Sequence, residues 1–205
     1  MKDYIVVHDG VFHADDVYAV ALAKLFNLKG SDNIIRTRNV DVINNATYEL
    51  DVGGFYDNQR CFDHHQSLFN ERYEDDTLMA TAGLLWRRFG LDWLRQTRGN
   101  VRQEHELIEI HKWMQNEFFK PLDNWDNGIQ IAEPGMNIPQ EIKIWNHPDI
   151  KSSYQDQRFF ESVDRAKWLL PLLVDSMDHL EDLSKLKVYL KRADETKKVY
   201  RSTYE

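Results

Sequence analysis

Tyr4-Ile5-Val6-Val7-His8-Asp9-Gly10-Val11-Phe12-His13-Ala14-Asp15-Asp16, followed by Val17-Tyr18-Ala19-Val20-Ala21-Leu22-Ala23-Lys24-Leu25-Phe26, is the stretch whose reading decides the fold. Tyr4 to Val7 is a short apolar run and reads as a buried strand, and Val17 to Phe26 reads as a helix. The turn between them carries His8, His13, Asp9, Asp15 and Asp16. In an open α/β sheet such a turn lies at the carboxyl end of a strand, where these folds place their ligands. Gly10 lets the backbone bend there at no steric cost. Imidazole and carboxylate together suit a borderline divalent ion such as Mn, Zn, Co or Fe better than Ca or Mg alone. Helix capping by Asp15 and Asp16 would explain the acids, but not the two histidines.

The 205 residues are enough for one domain with a sizeable core, or one domain plus an appendage. The formal charge of -8, from 26 basic and 34 acidic residues, argues against a large surface that coats nucleic acid. It leaves room for short, phosphate-bearing substrates. The single cysteine, Cys61, cannot form an internal disulfide, so nothing points to an oxidising compartment. No apolar run approaches the length of a membrane span, and Met1-Lys2-Asp3 enters a strand almost at once, without a visible signal peptide. These features point to a cytoplasmic protein without membrane association.

Working outward, Asn33 to Arg38 reads as a second strand with Arg36 and Arg38 on one side. That side is either a solvated face or a phosphate contact, since guanidinium binds phosphate with paired donors. Asp41 to Thr47 is a connection with a short helical turn. Tyr48 to Val52 is a third strand, ended by Gly53-Gly54, with Asp51 near its end as a ligand or a turn residue. In Arg60-Cys61-Phe62-Asp63-His64-His65-Gln66, Phe62 ends a short strand; neighbouring side chains point to opposite faces, so His64 and His65 have different jobs. Thr77 to Gly90 reads as a buried helix stopped by Gly90, with Asp92 to Arg98 adding a turn. Arg102 to Phe119 is an amphipathic helix with Leu107, Ile110, Met114 and Phe118 on one face, interrupted by Pro121. Asp123 and Asp126 follow, three residues apart. Glu133 to Pro148 is loop-like, a linker or flap. Gln155 to Met177 is helical with Pro171 as a kink or restart, and residues 178–205 read as a last amphipathic helix with a loose end.

His8/His13/Asp15, Asp51, Asp63/His64/His65 and Asp123/Asp126 are four clusters of metal-ligand chemistry. Each has a structural explanation alone; jointly they point to a site with ligands enough for two ions, a recurrent device for displacement at phosphorus. The expected fold is α/β, a parallel-rich central sheet flanked by helices with a C-terminal helical segment. Residues 1–150 would form the metal-binding catalytic domain and residues 151–205 a helical extension packed on it.

The order His-x4-His-x-Asp, Asp, Asp-His-His, late Asp resembles the DHH phosphoesterase superfamily of nucleases, cyclic-dinucleotide phosphodiesterases and manganese pyrophosphatases. His8 to Asp16, Arg36-Thr37-Arg38, Asp51-Val52-Gly53-Gly54, Asp63-His64-His65-Gln66, Ala82-Gly83-Leu84, Asp126-Asn127-Gly128-Ile129 and Trp145-Asn146-His147-Pro148-Asp149 are similar to one branch, the Myg family. Its eukaryotic members act as RNA exonucleases. The resemblance implies a metal-dependent phosphoesterase acting on short RNA or DNA oligonucleotides. The alternatives are a hydrolase of a small phosphoanhydride or nucleotide, and a metal-site module without turnover. It implies two divalent ions, Mn foremost, with Mg, Co or Zn as other choices. His8, His13 and Asp51 would hold the first ion; Asp15, Asp51, His64 and Asp126 the second, with Asp51 bridging. His65 would face the substrate phosphate, Asp63 would orient a histidine, and Arg36 and Arg38 would contact phosphate. The superfamily usually has Asp where His13 stands, which places the holding of the first ion in question. Family members usually continue into a smaller domain that closes over the substrate, so activity here is expected to be weak, confined to small substrates, or dependent on a homodimer.

Overall fold

The computed structural model describes residues 3–129 and 136–178. The chain divides into two units, Met1–Trp168 and Leu169–Glu205, and the site lies in the first. Strands β1 (Ile5–Val7), β2 (Ile34–Arg36), β3 (Tyr48–Leu50) and β4 (Cys61–Phe62) alternate with helices α1 (Ala14–Leu25) and α2 (Val40–Asn44). Then come α3 (Thr81–Arg98), α4 (Glu104–Trp113), a π-helical turn (Met114–Phe119), α5 (Lys120–Asp126), α6 (Ile138–Trp145) and α7 (Ser153–Asp178).

All four strands run parallel, in the order β2-β1-β3-β4. The fold is thus the expected α/β class. The reason is in the residues: Ile5, Val6 and Val7 are wholly buried, as befits a parallel strand covered on both faces. Val6 aligns with Ile35 on one side and Glu49 on the other, and Leu50 with Phe62. The chain runs from β1 outward to β2 and returns to the far side of β1 as β3. The order therefore reverses between β1 and β3, and open α/β sheets bind ligands in the crevice at the carboxyl ends of such strands. Helix α1 is buried from Ala14 to Ala23 and packs against α3, α5 and α6.

Several local expectations need correction. Gly90 does not stop α3, which runs on to Arg98. A Cβ at Gly90 would meet the Trp86 indole, so this glycine serves ring packing inside the helix. Pro121 does not end helical structure: the backbone stays helical from Glu104 through the π turn to Asp126. Pro121 is the second residue of α5, directly after the π turn. The π turn buries Met114, Phe118 and Phe119 together, and Phe119 stacks on Trp86. Within the expected loop at 133–148, Ile138–Trp145 is helix α6, with Pro139 in its first turn and Asn137 capping it. Pro171 lies inside α7. Of the terminal helix expected at 178–205, residues 179–205 lie outside the described residues. No described helix is long and apolar enough to cross a membrane.

Candidate metal centre

Three strand ends and two helix ends converge on the switch-point crevice. His8 follows β1; Asp15 and Asp16 stand in the first turn of α1; Asp51 follows β3; Asp63, His64 and His65 follow β4; Asp126 ends α5. Asp51 has a left-handed backbone, φ 54°, a conformation that costs a non-glycine residue roughly 1 kcal/mol or more but that Asp tolerates better than most. Gly53 and Gly54 continue the sharp turn at φ 101° and 70°.

The convergence has a definite geometry. Asp51 Oδ2 lies 3.3 Å from His8 Nε2, which is 3.1 Å from Asp16 Oδ2. Asp51 Oδ1 lies 3.4 Å from His64 Nε2. His64 Nε2 in turn is 3.1 Å from Asp126 Oδ2 and 3.7 Å from Asp15 Oδ2. One carboxylate thus addresses a different imidazole with each oxygen. Among the described residues, His8/Asp16/Asp51, Asp15/His64/Asp126 and Asp51/His64/His65 each have ligand atoms close enough to share a metal ion.

The surroundings fix these groups. Asp15 accepts hydrogen bonds from the Thr81 and Ala82 amides, at 3.0 and 2.7 Å, so the N-terminus of α3 supports its charge. The Thr81 hydroxyl is within reach of Asp51 Oδ1, at 3.3 Å, and of the Phe62 carbonyl, at 3.1 Å. Asp63 Oδ2 accepts the Gly54 N–H at 2.6 Å. Its Oδ1 is 2.7 Å from His65 Nδ1, and the His65 ring stays largely exposed. The loop that carries His8 is clamped from far along the chain. Asn146 accepts the Phe12 N–H at 2.9 Å and donates to the Phe12 carbonyl at 2.8 Å. Gln155 donates to the Gly10 carbonyl at 2.9 Å.

Burial opposes charge on His8, but Asp16 and Asp51 outweigh it and push the imidazole up to about 10. Burial likewise opposes charge on His64, and Asp126 and Asp51 push it up to about 11. Burial works against ionising Asp51; the His64 and His8 imidazoles beside it overcome that and hold the carboxyl well below the usual range. Asp15 and Asp16 are raised, chiefly by burial. Asp63 raises His65. Such mutual adjustment of acids and imidazoles is typical of functional sites.

The structure brings together His8, Asp15, Asp51, His64, His65 and Asp126, with Asp63 behind His65. It does not bring His13 into these groups: His13 is exposed, its ring centroid 6.3 Å from that of His8. Asp123 is also outside them, wholly buried and bonded by the Tyr73 hydroxyl and the Gly83 amide. Neither expectation for Arg36 describes it. Its side chain is only 1% exposed and pairs with Asp156, donates to the Gly10 carbonyl and lies 4.3 Å from the Phe159 ring centroid. The β2 face that carries it is covered by α7 residues, not by solvent. Arg38 is exposed and reaches Asp9 beside His8. Sequence reasoning missed three residues. Asp16 read as a helix cap, although it stands beside Asp15 in the same acidic turn; Asn146 and Gln155 become partners of the first loop only through tertiary contact.

A family model described as "Uncharacterised protein family (UPF0160)" matches residues 4–199. The MYG1 protein of Schizosaccharomyces pombe is 29% identical over 188 residues, covering 85% of this chain and 58% of that protein. The MYG1 protein of Dictyostelium discoideum is 35% identical over 142 residues, 68% of this chain and 41% of its own length. The human protein named MYG1 exonuclease is 30% identical over 164 residues, 71% of this chain and 44% of its own. The chain thus spans about half the length of the curated relatives it matches. No solved structure matches. With nearly its whole length matched and these relatives sharing most of it, the chain belongs to the MYG1 family, UPF0160.

Proposed function

We propose that this chain hydrolyses phosphodiester bonds in short RNA or DNA oligonucleotides with the help of two divalent cations, manganese foremost. The observation that carries the reading is Asp51, one oxygen toward His8 and the other toward His64. The donor set fits cations: Asp16 Oδ2 and His64 Nε2 are buried without a hydrogen-bond partner, and buried polar atoms normally have one. Mixed imidazole and carboxylate suit Mn, Co or Zn. Asp15, Asp51, His64 and Asp126 would hold one ion, and His8 and Asp51 would help hold the other. Bound there, such a pair supplies an acidified water and neutralises phosphate charge.

The chain's own residues do the rest. Asp63 engages His65 Nδ1, which leaves Nε2 to meet the substrate, and the same carboxylate favours the charged imidazole. An exposed imidazole whose charged form is favoured in this way suits a phosphate oxygen or a leaving group. Arg38, exposed beside Asp9, can take a neighbouring phosphate with paired donors. The relatives named exonucleases support nucleic acid as the substrate. The test is hydrolysis by the full chain, with and without Mn2+, of dinucleotides, longer RNA, pyrophosphate and bis(nitrophenyl) phosphate. Metal-dependent cleavage of dinucleotides or RNA is expected. Turnover of pyrophosphate alone would move the reading to phosphoanhydrides, and metal binding with no turnover of any substrate would refute catalysis.

A further inference from the structure

We infer that Asp16 completes the cation site at His8 and that His13 stands outside it; the inference rests on the two-cation reading above. Asp16 is wholly buried in the first turn of α1. Its two oxygens have separate tasks. Oδ1 accepts the His13 N–H at 2.7 Å and the Val17 N–H at 2.9 Å, which fixes the start of the helix. Oδ2 has no hydrogen-bond partner and lies 3.1 Å from His8 Nε2.

His8 supplies the second half of the argument. Its Nδ1 is 3.0 Å from the Asp9 carbonyl, which can only accept, so Nδ1 carries a proton. In neutral His8 the lone pair is then on Nε2, aimed between Asp16 Oδ2 and Asp51 Oδ2 at 3.1 and 3.3 Å. One lone pair and two carboxylate oxygens facing each other in a buried site need a positive charge among them. A proton on Nε2 can be donated along one direction; a divalent cation satisfies all three atoms at once. His13 offers no equivalent, since its ring is exposed and outside every group of described ligand atoms close enough to share an ion.

The test is Mn2+ binding by calorimetry to wild type, Asp16→Asn and His13→Gln, with melting of each metal-free chain. Asparagine keeps an oxygen for the two amides and removes the charge. Two ions on wild type and on His13→Gln are expected, with one site in Asp16→Asn weakened about a hundredfold or more. Two ions at wild-type affinity in Asp16→Asn, or loss of an ion in His13→Gln, would overturn the inference. Fewer than two ions on wild type would instead remove the two-cation reading, and this inference with it. Spin-echo modulation of bound Mn2+ reads the ligands directly: the same imidazole count is expected in wild type and in His13→Gln, and the loss of one imidazole in His13→Gln would overturn the assignment.

Discussion

Replacing Asp51 by asparagine probes the centre at the residue both halves share. The side chain keeps its shape, asparagine also tolerates the left-handed backbone at φ 54°, and an amide oxygen remains for the Thr81 hydroxyl. The charge is lost. Each Asp51 oxygen lies 3.3–3.4 Å from the imidazole nitrogen it addresses. Two unit charges about 4 Å apart at an effective dielectric of about 20 attract by about 4 kcal/mol, nearly three decades of affinity. At least one ion should therefore be lost and turnover should fall by several orders of magnitude. The metal-free fold should survive, because the Asp51 charge also repels Asp15 and Asp16, and its removal relieves them. A turn aspartate alone would cost about 1 kcal/mol, or about 2–4 °C in Tm for a chain of this size, and leave metal untouched. Metal content by mass spectrometry, calorimetric Mn2+ affinity and phosphodiester hydrolysis decide it. Two ions at native affinity with near-native turnover would refute the bridging role.

Asn146→Ala strips both partners from the buried Phe12 backbone; we expect a loss of about 1–3 kcal/mol together with weaker Mn2+ binding, and a lower Tm with unchanged affinity would show the clamp to be merely structural. Arg36→Met should lower Tm without changing KM, because its guanidinium is engaged by Asp156 and Gly10. Arg38→Ala should leave Tm alone and raise KM for a phosphodiester about tenfold, the weight of one charge-assisted hydrogen bond; the opposite pattern in thermal melts and steady-state kinetics would reverse the two assignments. Burial and the neighbouring Glu49 push the Cys61 thiol up to about 12, so the native chain should resist dithionitrobenzoate at about pH 8 and react fully in denaturant; rapid labelling of the native chain would contradict its burial.

Local chemistry made part of this protein legible in its residue order. Ile5-Val6-Val7, Ile34-Ile35 and Tyr48-Glu49-Leu50 read as strands because they are short, rich in branched or aromatic residues and bounded by turn residues. His8, Asp51 and His64 could be picked out because each follows a strand, and strand ends in a parallel sheet share one edge. Tertiary structure alone decided what depends on distant partners. Helix α3 passes through Gly90 because the Trp86 ring takes the space of a side chain. Ile138–Trp145 is helical despite its proline, which falls in a first turn that tolerates it. The Arg36 side chain is buried because Phe159 and Asp156 come to it from more than a hundred residues away. Asp16 faces His8, and His13 does not join them, because the helix capping geometry turns one carboxylate oxygen inward and leaves the histidine ring outside. Residue order determined which groups reach the strand edge, since a strand's direction is local; which of them meet there was decided by packing, since a side chain's partner is set by the neighbours that close over it.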